Sequence, residues 1–426
     1  MVTSSSSRSG SSGSSTGSDD ANILLVNVSG QDKPGLMAML TSTLTSYQAR
    51  ILDLGQAVIH DELALGLLVR LPQGADLEAF QKEVLQQAGA IGSTIRFSAV
   101  EPERYGHWVQ GVERTSYVIT LLCRGSVSQE LHAVSTLTHR HGLNIEHVRR
   151  LSGPVRLDQA ADSVKVCMEM RVGGVLEDAS VLQADLMTAA GQLHFDFSVH
   201  EDNVFRRNRR LVAFDMDSTL IDVEVMDELA ARYGVGEQVA AITERAMRGE
   251  IDFKESFRER AGMLKGMPVS ILHDVAESVR LNDGADKLLA ALHHFGYRTA
   301  VISGGFQYVG EHLRERFDID YVFANELEAV DGHLTGEVVG EIIDAQRKAE
   351  ILRTLAEQEQ IALQQTIAIG DGANDLPMLA SAGLGVAYHA KPVVRESAGH
   401  AISNFGLDSV LYLMGFTDTD IDEALA

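Results

Sequence analysis

Residues 211–219 read LVAFDMDST, a short apolar run that ends in two aspartates separated by one residue. Two later runs have the same form: TAVI (299–302) is followed by SGG (303–305), and TIAIG (366–370) is followed by Asp371. Short apolar runs that alternate with helical segments predict a parallel α/β sheet covered on both faces. Because ligands bind beyond the carboxyl ends of such strands, we expect these polar residues to share one edge.

A long helical segment separates the first of these strands from the others. Between about residues 221 and 280 no run reads as a strand, although the periodicity of several helices is present. We therefore predict one α/β domain over residues 206–426, with a helical cap inserted at about 221–280.

The chain before this domain contains one pattern twice. Residues 21–100 read as β-α-β-β-α-β, and residues 114–200 repeat the same order with a longer hairpin loop at 152–163. This order is that of the ferredoxin-like unit, so we predict two tandem copies. Residues 1–20 are a Ser/Gly tract and are predicted to be a disordered tail.

The composition bounds the class of protein. The 426 residues are 45% hydrophobic, which suits about three soluble domains. Thirty-six basic and 60 acidic residues give a net charge of −24, which argues against nucleic-acid binding. No apolar run approaches the roughly 18 residues of a membrane span, so no membrane partner is expected. The two cysteines exclude a disulfide framework and suit a cytoplasmic protein.

The polar residues at the predicted sheet edge suit phosphoryl transfer. Asp215 and Asp371 offer the hard oxygen ligands that Mg²⁺ prefers. Ser303 stands before a predicted helix, where its hydroxyl and the following N–H groups form a seat for an anion, and Gly304 permits close approach of the backbone. Lys348 adds a positive charge for the phosphoryl oxygens. The metal, the lysine and the backbone donors together would stabilise the negative charge on the phosphoryl oxygens.

These motifs, in this order, resemble the haloacid dehalogenase superfamily and, within it, the phosphoserine phosphatase family. The resemblance rests on DMDST (215–219), the cap stretch AMRGEIDFKESFRERAGMLKG (246–266), SGGF (303–306), Lys348 and GDGANDLPM (370–378). It implies a Rossmann-like core with a helical cap. It also implies Mg²⁺-dependent hydrolysis of O-phosphoserine to serine and phosphate through an aspartyl-phosphate, the final step of serine biosynthesis.

The resemblance also implies the roles of individual residues. Asp215 is expected to be the nucleophile and Asp217 the general acid and base, with Asp217 also lending a backbone carbonyl to the metal beside Asp215 and Asp371. Met247 and Phe253 are expected to line the pocket. The expected substrate-binding residues, in which Glu224 holds the ammonium group and Arg260 the carboxylate, are Glu224, Arg260, Ser303, Gly304, Lys348 and Asn374.

The tandem repeats resemble ACT domains, which are regulatory modules that bind amino acids. The first copy carries the motif Asp32 to Gly35 at its first strand-to-helix turn, whereas the second has RGSV (124–127) there, which puts its ligand binding in doubt. The resemblance implies a homodimer through residues 21–200 and free serine as an effector near Asp32 and Gly35. A side chain at position 35 is expected to crowd that turn.

Two other functions are compatible with parts of this pattern. The same core would act on another small phosphomonoester if the cap pocket were not built around a zwitterion. Alternatively, the chain would be mainly an amino-acid sensor with residual phosphatase activity. The intact set of Asp215, Asp217, Lys348 and Asp371 argues against the second alternative.

Overall fold

The computed structural model describes residues 22–111, 115–158, 160, 164–176 and 178–426. The predicted Ser/Gly tail lies outside the described residues. The chain forms two compact units, which divide between residues 113 and 114.

The first unit is a βαββαβ fold followed by one more helix. Its sheet has the order β2-β3-β1-β4 with antiparallel pairing throughout. Alternate residues of β1 and β3, such as Leu24, Val26, Leu65 and Leu67, are buried on one face against the helices. The elements are β1 (Asn22–Gln31), α1 (Leu36–Ser46), β2 (Arg50–Ile59), β3 (Glu62–Leu71), α2 (Leu77–Ala90), β4 (Thr94–Ala99) and α3 (Pro102–Gly111).

The second unit begins with the same fold. Its strands are ordered β6-β7-β5-β8, the order of their counterparts in the first unit, so the predicted repetition of the fold is confirmed. The elements are β5 (Ser116–Arg124), α4 (Ser128–Arg140), β6 (Asn144–Arg150), β7 (Lys165–Gly173), α5 (Ala179–Leu193) and β8 (Asp196–Glu201).

A larger α/β domain follows in the same unit. Strand β9 lies between β10 and β13 and is parallel to both, and β14 extends the sheet beyond β13. The strands are β9 (Leu211–Phe214), β10 (Arg298–Phe306), β11 (Tyr321–Val330), β12 (His333–Val339), β13 (Thr366–Gly370), β14 (Leu384–Tyr388) and β15 (Ala401–Ile402). The helices outside the cap are α10 (Ala285–His294), α11 (Gln307–Phe317), α12 (Ala345–Gln358), α13 (Leu376–Ser381), α14 (Pro392–Ala398), α15 (Val410–Leu413) and α16 (Asp418–Leu425).

A group of four helices separates β9 from α10 and forms a cap. It contains α6 (Val225–Tyr233), α7 (Gly236–Met247), α8 (Phe253–Met263) and α9 (Val269–Ser278). Its two connections to the core run side by side, since Ile221 and Leu281 form a β-bridge. The cap is therefore joined to the core directly beside the end of β9.

The sheet differs from the prediction in two respects. Strand β12 was not predicted; it pairs antiparallel with β11 across a turn at Asp331 and Gly332, so the sheet is mixed and not wholly parallel. The second difference is that β8 pairs with β15, which joins the two sheets of the second unit into one of eleven strands. No helix among the described residues is both long and apolar enough to cross a membrane.

Candidate active site

Three charged side chains meet in a buried position at the carboxyl ends of the central strands. The Asp215 N–H donates to the Ile369 carbonyl oxygen at 2.8 Å, which fixes the residue at the end of β9. The Lys348 Nζ lies 2.8 Å from Asp215 Oδ1 and 2.7 Å from Asp375 Oδ1, and the lysine is fully buried. Because a buried ammonium needs anionic partners, these two carboxylates hold Lys348 in place at the carboxyl ends of the strands.

Three carboxylates at this edge are suited to hold a divalent cation. One oxygen each of Asp215, Asp371 and Asp375 lies within 4.8 Å of the others. The Thr219 hydroxyl donates to Asp371 Oδ1 at 3.0 Å and so orients that carboxylate. The donor set is all oxygen and anionic, which fits Mg²⁺. The predicted contribution of Asp217 is a backbone carbonyl, and its side chain is not one of these three carboxylates.

The crowding of carboxylates changes their proton affinities. Burial, followed by the charge of Asp375, raises the pKa of Asp215 to about 8, against the opposing effect of Lys348. Burial is also the main cause that raises the pKa of Asp371 to about 6. Burial and the nearby Glu224 hold the pKa of Asp217 well above its ordinary value. The edge therefore favours positive charge, which a cation supplies.

A buried serine and two glycines form the other side of the edge. Ser303 is buried, and its Oγ accepts a hydrogen bond from the Gly305 N–H at 2.8 Å. A Cβ on Gly305 would lie 2.7 Å from Asp217 Oδ2, so only glycine allows this approach. The helix α11 starts at Gln307, two residues after Gly305, so a helix follows Ser303 as predicted.

Asp217 stands in a strained turn that leads into the cap. Ser218 follows it with φ 57, an uncommon value for a residue other than glycine. The Ser218 hydroxyl donates to Glu224 Oε1 at 2.7 Å, which ties the turn to the start of α6. Asp217 Oδ1 is buried and has no hydrogen-bond partner among the described residues.

The cap supplies a cation on the opposite side of the same space. Arg260 lies on α8, and its Nε donates to the Ser256 carbonyl oxygen at 3.4 Å; its guanidinium makes no other hydrogen bond to the described residues. Burial lowers the pKa of Arg260, and the charges of Asp227 and Glu224 oppose this effect. Phe253 lines the cavity as expected, but Met247 is 73% exposed and does not, so that prediction was wrong. Met226 supplies apolar lining instead.

One cavity of about 240 Å³ collects most of the predicted residues. Lys348 is fully buried and is not among the lining residues; its ammonium contacts Asp215 and Asp375. The predicted residues that line it are Asp215, Asp217, Glu224, Arg260, Ser303, Gly304, Asp371 and Asn374.

Two contributors to the site are missing from the predicted set. Asp375 is fully buried, pairs with Lys348 and accepts a hydrogen bond from the Gly372 N–H at 2.9 Å. Thr219 was used only as part of a motif. Its position two residues after Asp217 places a hydroxyl near the proposed metal ligands. Its partner Asp371 lies 152 positions away in the sequence, so the hydrogen bond between them has no local signal.

The predicted regulatory turn lies in the first unit and has an unusual backbone. Gly35 has φ 97 at the start of α1, and the Asp32 N–H donates to the Asp61 carbonyl oxygen at 2.8 Å. No atom lies within 4 Å of a Cβ built on Gly35. The expectation that a side chain would crowd the turn was therefore wrong, and the cost of a substitution is backbone strain.

Comparisons with known proteins match this arrangement. The model of the haloacid dehalogenase-like hydrolase family matches residues 212–380, and that of the ACT domain family matches residues 22–98. The phosphoserine phosphatase SerB2 of Mycobacterium tuberculosis is 38% identical over 402 residues, which cover 94% of this chain and 95% of that protein. The chain belongs to the phosphoserine phosphatase family.

Two other relatives are similar over most of the chain. The phosphoserine phosphatase of Streptomyces coelicolor is 37% identical over 419 residues, 96% of each chain. The unliganded crystal structure of a probable phosphoserine phosphatase from Vibrio cholerae has a TM-score of 0.56 at 36% identity, and covers 73% of this chain and 88% of that one. The resemblance of the site motifs to this family is thus matched over nearly the whole chain.

Proposed function

We propose that this protein is a phosphoserine phosphatase that hydrolyses O-phosphoserine to serine and phosphate. The observation that carries the proposal is the distribution of charged and polar residues between the two ends of the cavity. Asp215, with Lys348 behind it, and Ser303 lie at the core end, whereas Glu224 and Arg260 lie at the cap end. O-Phosphoserine carries groups of both charges, so one cavity must supply partners for each. Its ammonium group needs an anion, and its carboxylate needs a bidentate cation.

The chemistry follows in two displacements. A carboxylate oxygen of Asp215 attacks phosphorus, the bond from phosphorus to the serine oxygen breaks, and Asp217 gives its proton to that oxygen. Asp217, now a base, takes a proton from water, whose oxygen attacks the same phosphorus. The bond to Asp215 breaks and phosphate leaves. Ser303 and Lys348 stabilise the phosphoryl oxygens in both steps, and the cap excludes water during the first.

Mg²⁺ is proposed as the resident cation, bound by Asp215 and Asp371 with the backbone carbonyl of Asp217. Asp375, near the same point, holds Lys348 and is a further candidate ligand. When bound, the cation neutralises charge on the phosphoryl oxygens. Asn374 lines the cavity beside these residues and is proposed to contact the substrate phosphate.

A phosphate-release assay tests the proposed reaction directly. Phosphoserine, phosphothreonine and an aryl phosphate are compared with and without Mg²⁺, and we expect phosphoserine to be preferred and Mg²⁺ to be required. Asp215→Asn keeps the size of the side chain and removes the nucleophile, so release should fall by about a thousandfold or more. A tenth of the wild-type rate in that variant would contradict the mechanism.

Arg260→Ala tests whether the cap end of the cavity recognises the serine carboxylate. The lost charge-assisted bond is worth roughly 1.5–3 kcal/mol, so kcat/KM for phosphoserine should drop at least about tenfold. Hydrolysis of an aryl phosphate without a carboxylate should change far less. Equal losses on both substrates would mean that Arg260 supports the cap and does not bind the serine carboxylate.

The domain boundaries and regulation are also part of the proposal. We propose that residues 21–100 and 114–200 are ACT domains, that 206–426 are the phosphatase domain, and that free serine binds near Asp32 and Gly35. The two cysteines, Cys123 and Cys167, are free and buried, which suits the reducing cytoplasm.

A homodimer is proposed through the first ACT domain. Its strand β2 is the edge of the sheet over ten residues and lacks proline and lysine, so its backbone is open to another strand. Leu54 and Val58 are exposed and pair with Leu67 and Leu63, residues of the helix-covered face. Pairing with the β2 of a second copy would cover these side chains. Sedimentation of Leu54→Lys should show a monomer if this edge forms the dimer.

A further inference from the structure

Strand β10 leaves its regular pairing with β11 where the phosphate seat begins. The parallel register runs as far as Ile302, opposite Phe323, and resumes at Phe306, opposite Asn325. Four residues of β10 therefore correspond to two of β11, and residues 303–305 form a bulge. Backbone groups in a bulge lose their ladder partners and need others.

The side chain of Asn325 is the partner of this bulge. It is 2% exposed, and its Nδ2 donates to the Gly304 carbonyl oxygen at 2.8 Å. At the other end of the same peptide group, the Gly305 N–H donates to Ser303 Oγ at 2.8 Å. The peptide is thus held at both ends. Because Ser303 Oγ serves here as an acceptor, its own proton is available to a phosphoryl oxygen.

The same amide holds a second phosphate-binding segment. Asn325 Oδ1 accepts a hydrogen bond from the Ile343 N–H at 2.8 Å. The next residue, Asp344, caps α12 through the Arg347 N–H at 2.9 Å, and its carbonyl oxygen accepts from the Lys348 N–H at 3.0 Å. One buried side chain therefore connects the serine seat to the first turn of the helix that carries the lysine.

We propose that Asn325 is a positioning residue for the phosphoryl group. By tying Gly304 to Ile343, it fixes the Ser303 hydroxyl relative to the Lys348 ammonium, so that both meet oxygens of one phosphoryl group. Asn325 does not line the substrate cavity and acts only through these two segments. The inference rests on the proposed function, in which Ser303 and Lys348 bind the phosphoryl group.

Inorganic phosphate is the probe, titrated calorimetrically into the full chain in the presence of Mg²⁺. Asn325→Asp keeps the size and the acceptor for the Ile343 N–H but cannot donate to Gly304 when ionised. We expect phosphate affinity to fall about tenfold or more, the equivalent of one lost hydrogen bond to the seat. We also expect kcat/KM to fall equally for phosphoserine and an aryl phosphate, in contrast to the selective loss in Arg260→Ala.

Asp320→Ala is the matched control at the other end of β10. Asp320 Oδ2 accepts from the Thr299 N–H at 2.9 Å, so this variant loosens the same strand away from the seat and should keep its phosphate affinity. Asn325→Ala, which adds no charge, decides the question if thermal unfolding shows that Asn325→Asp does not fold. Wild-type affinity in the Asn325 variants, or an equal loss in Asp320→Ala, would overturn the proposal. A wild-type chain that binds phosphate but cleaves no monoester would refute the proposed function instead.

Discussion

The two βαββαβ units have the same strand order but differ in what lies beyond their last strand. In the first unit β4 ends the sheet, and among the described residues nothing pairs with its outer edge. In the second unit the corresponding β8 pairs with β15 of the phosphatase domain. One fold thus serves as a separate module in one copy and as an extension of the catalytic sheet in the other.

Polar contacts strengthen the junction of the second unit. Asp196, at the start of β8, is buried and accepts hydrogen bonds from the Ser403 and Asn404 N–H groups at 3.0 and 2.9 Å, and from Asn404 Nδ2 at 2.8 Å. Lys165 and Asp408 form an ion pair at 2.9 Å. The second copy is therefore held to the phosphatase domain by side chains as well as by its sheet.

The first strand-to-helix turn, where the effector is proposed to bind, also differs between the copies. In the first copy Asp32 and Gly35 are exposed. In the second, the guanidinium of Arg124 lies 4.7 Å from the centre of the Phe405 ring of the phosphatase domain. A cation over an aromatic ring is an attractive contact, so this turn already has a partner. The second copy is thus bound to the catalytic sheet, whereas the proposed effector site lies in the exposed turn of the first.

The largest effect on this comparison is expected from Asp196→Ala. The change removes a buried acceptor and leaves three donors of Ser403 and Asn404 without it, at a cost of about 4 kcal/mol in the free energy of unfolding of the second unit. Thr94→Ala is the matched control, because Thr94 begins β4 as Asp196 begins β8 but is exposed. Denaturant unfolding of both variants measures the difference. Similar losses in the two would show that the junction adds no stability.

The repeated fold and the parallel core were predictable from the sequence because they depend on local periodicity. The alternation of residues in β3 predicts a strand, and so does the wholly apolar run of β9. Neither prediction requires knowledge of the pairing strand. The junction was not predictable. It depends on a two-residue strand, β15, and on Asp196, whose partners lie 207 and 208 positions away. Neither a short strand nor a lone aspartate carries a local signal.

A fall in pH is expected to weaken the same junction. Burial, followed by the charge of Arg209, lowers the pKa of His400 to about 4, and its Nδ1 accepts from the Val199 N–H of β8 at 3.4 Å. Burial, then Arg209 and Arg206, likewise holds the pKa of His200 well below its ordinary value. The surrounding charges are therefore positive and favour the neutral rings.

The sign of this effect follows from proton uptake. The unfolded chain binds a proton at His400 below about pH 6.5, whereas the folded chain does not until about pH 4, so stability is complete above the first value and falls between the two. The loss amounts to about 3 kcal/mol. Unfolding measured from pH 7 to pH 5 should show a shallower slope in His400→Gln. His60→Gln, at an exposed site of the first unit, should keep the wild-type slope.

The site was more predictable than the junction because its residues follow strands in recognisable motifs. Asp215 and Asp371 directly follow buried strands, Ser303 begins the bulge of β10, and the sheet brings the three together. The support beneath them was less visible. Asp375 follows β13 by only five residues, but its role depends on Lys348 reaching the same point from α12. The exposure of Met247 depends on how the cap helices pack, which its sequence motif does not specify.

The smallest effect is expected from Gly35→Ala, which tests the assignment of regulation to the first copy. Because φ is 97 and no atom lies near the new Cβ, the substitution strains the turn by about 1 kcal/mol without a collision. Calorimetry of the full chain should show weaker serine binding, with reduced inhibition by serine and unchanged turnover in its absence. Gly74→Ala is the matched control: φ is 80, its Cβ is equally free, and it lies in another loop of the same unit, so serine binding should persist. If both variants bind serine like the wild type, the effector does not depend on this turn; if both lose binding, the cause is general destabilisation of the unit and the turn is not the site.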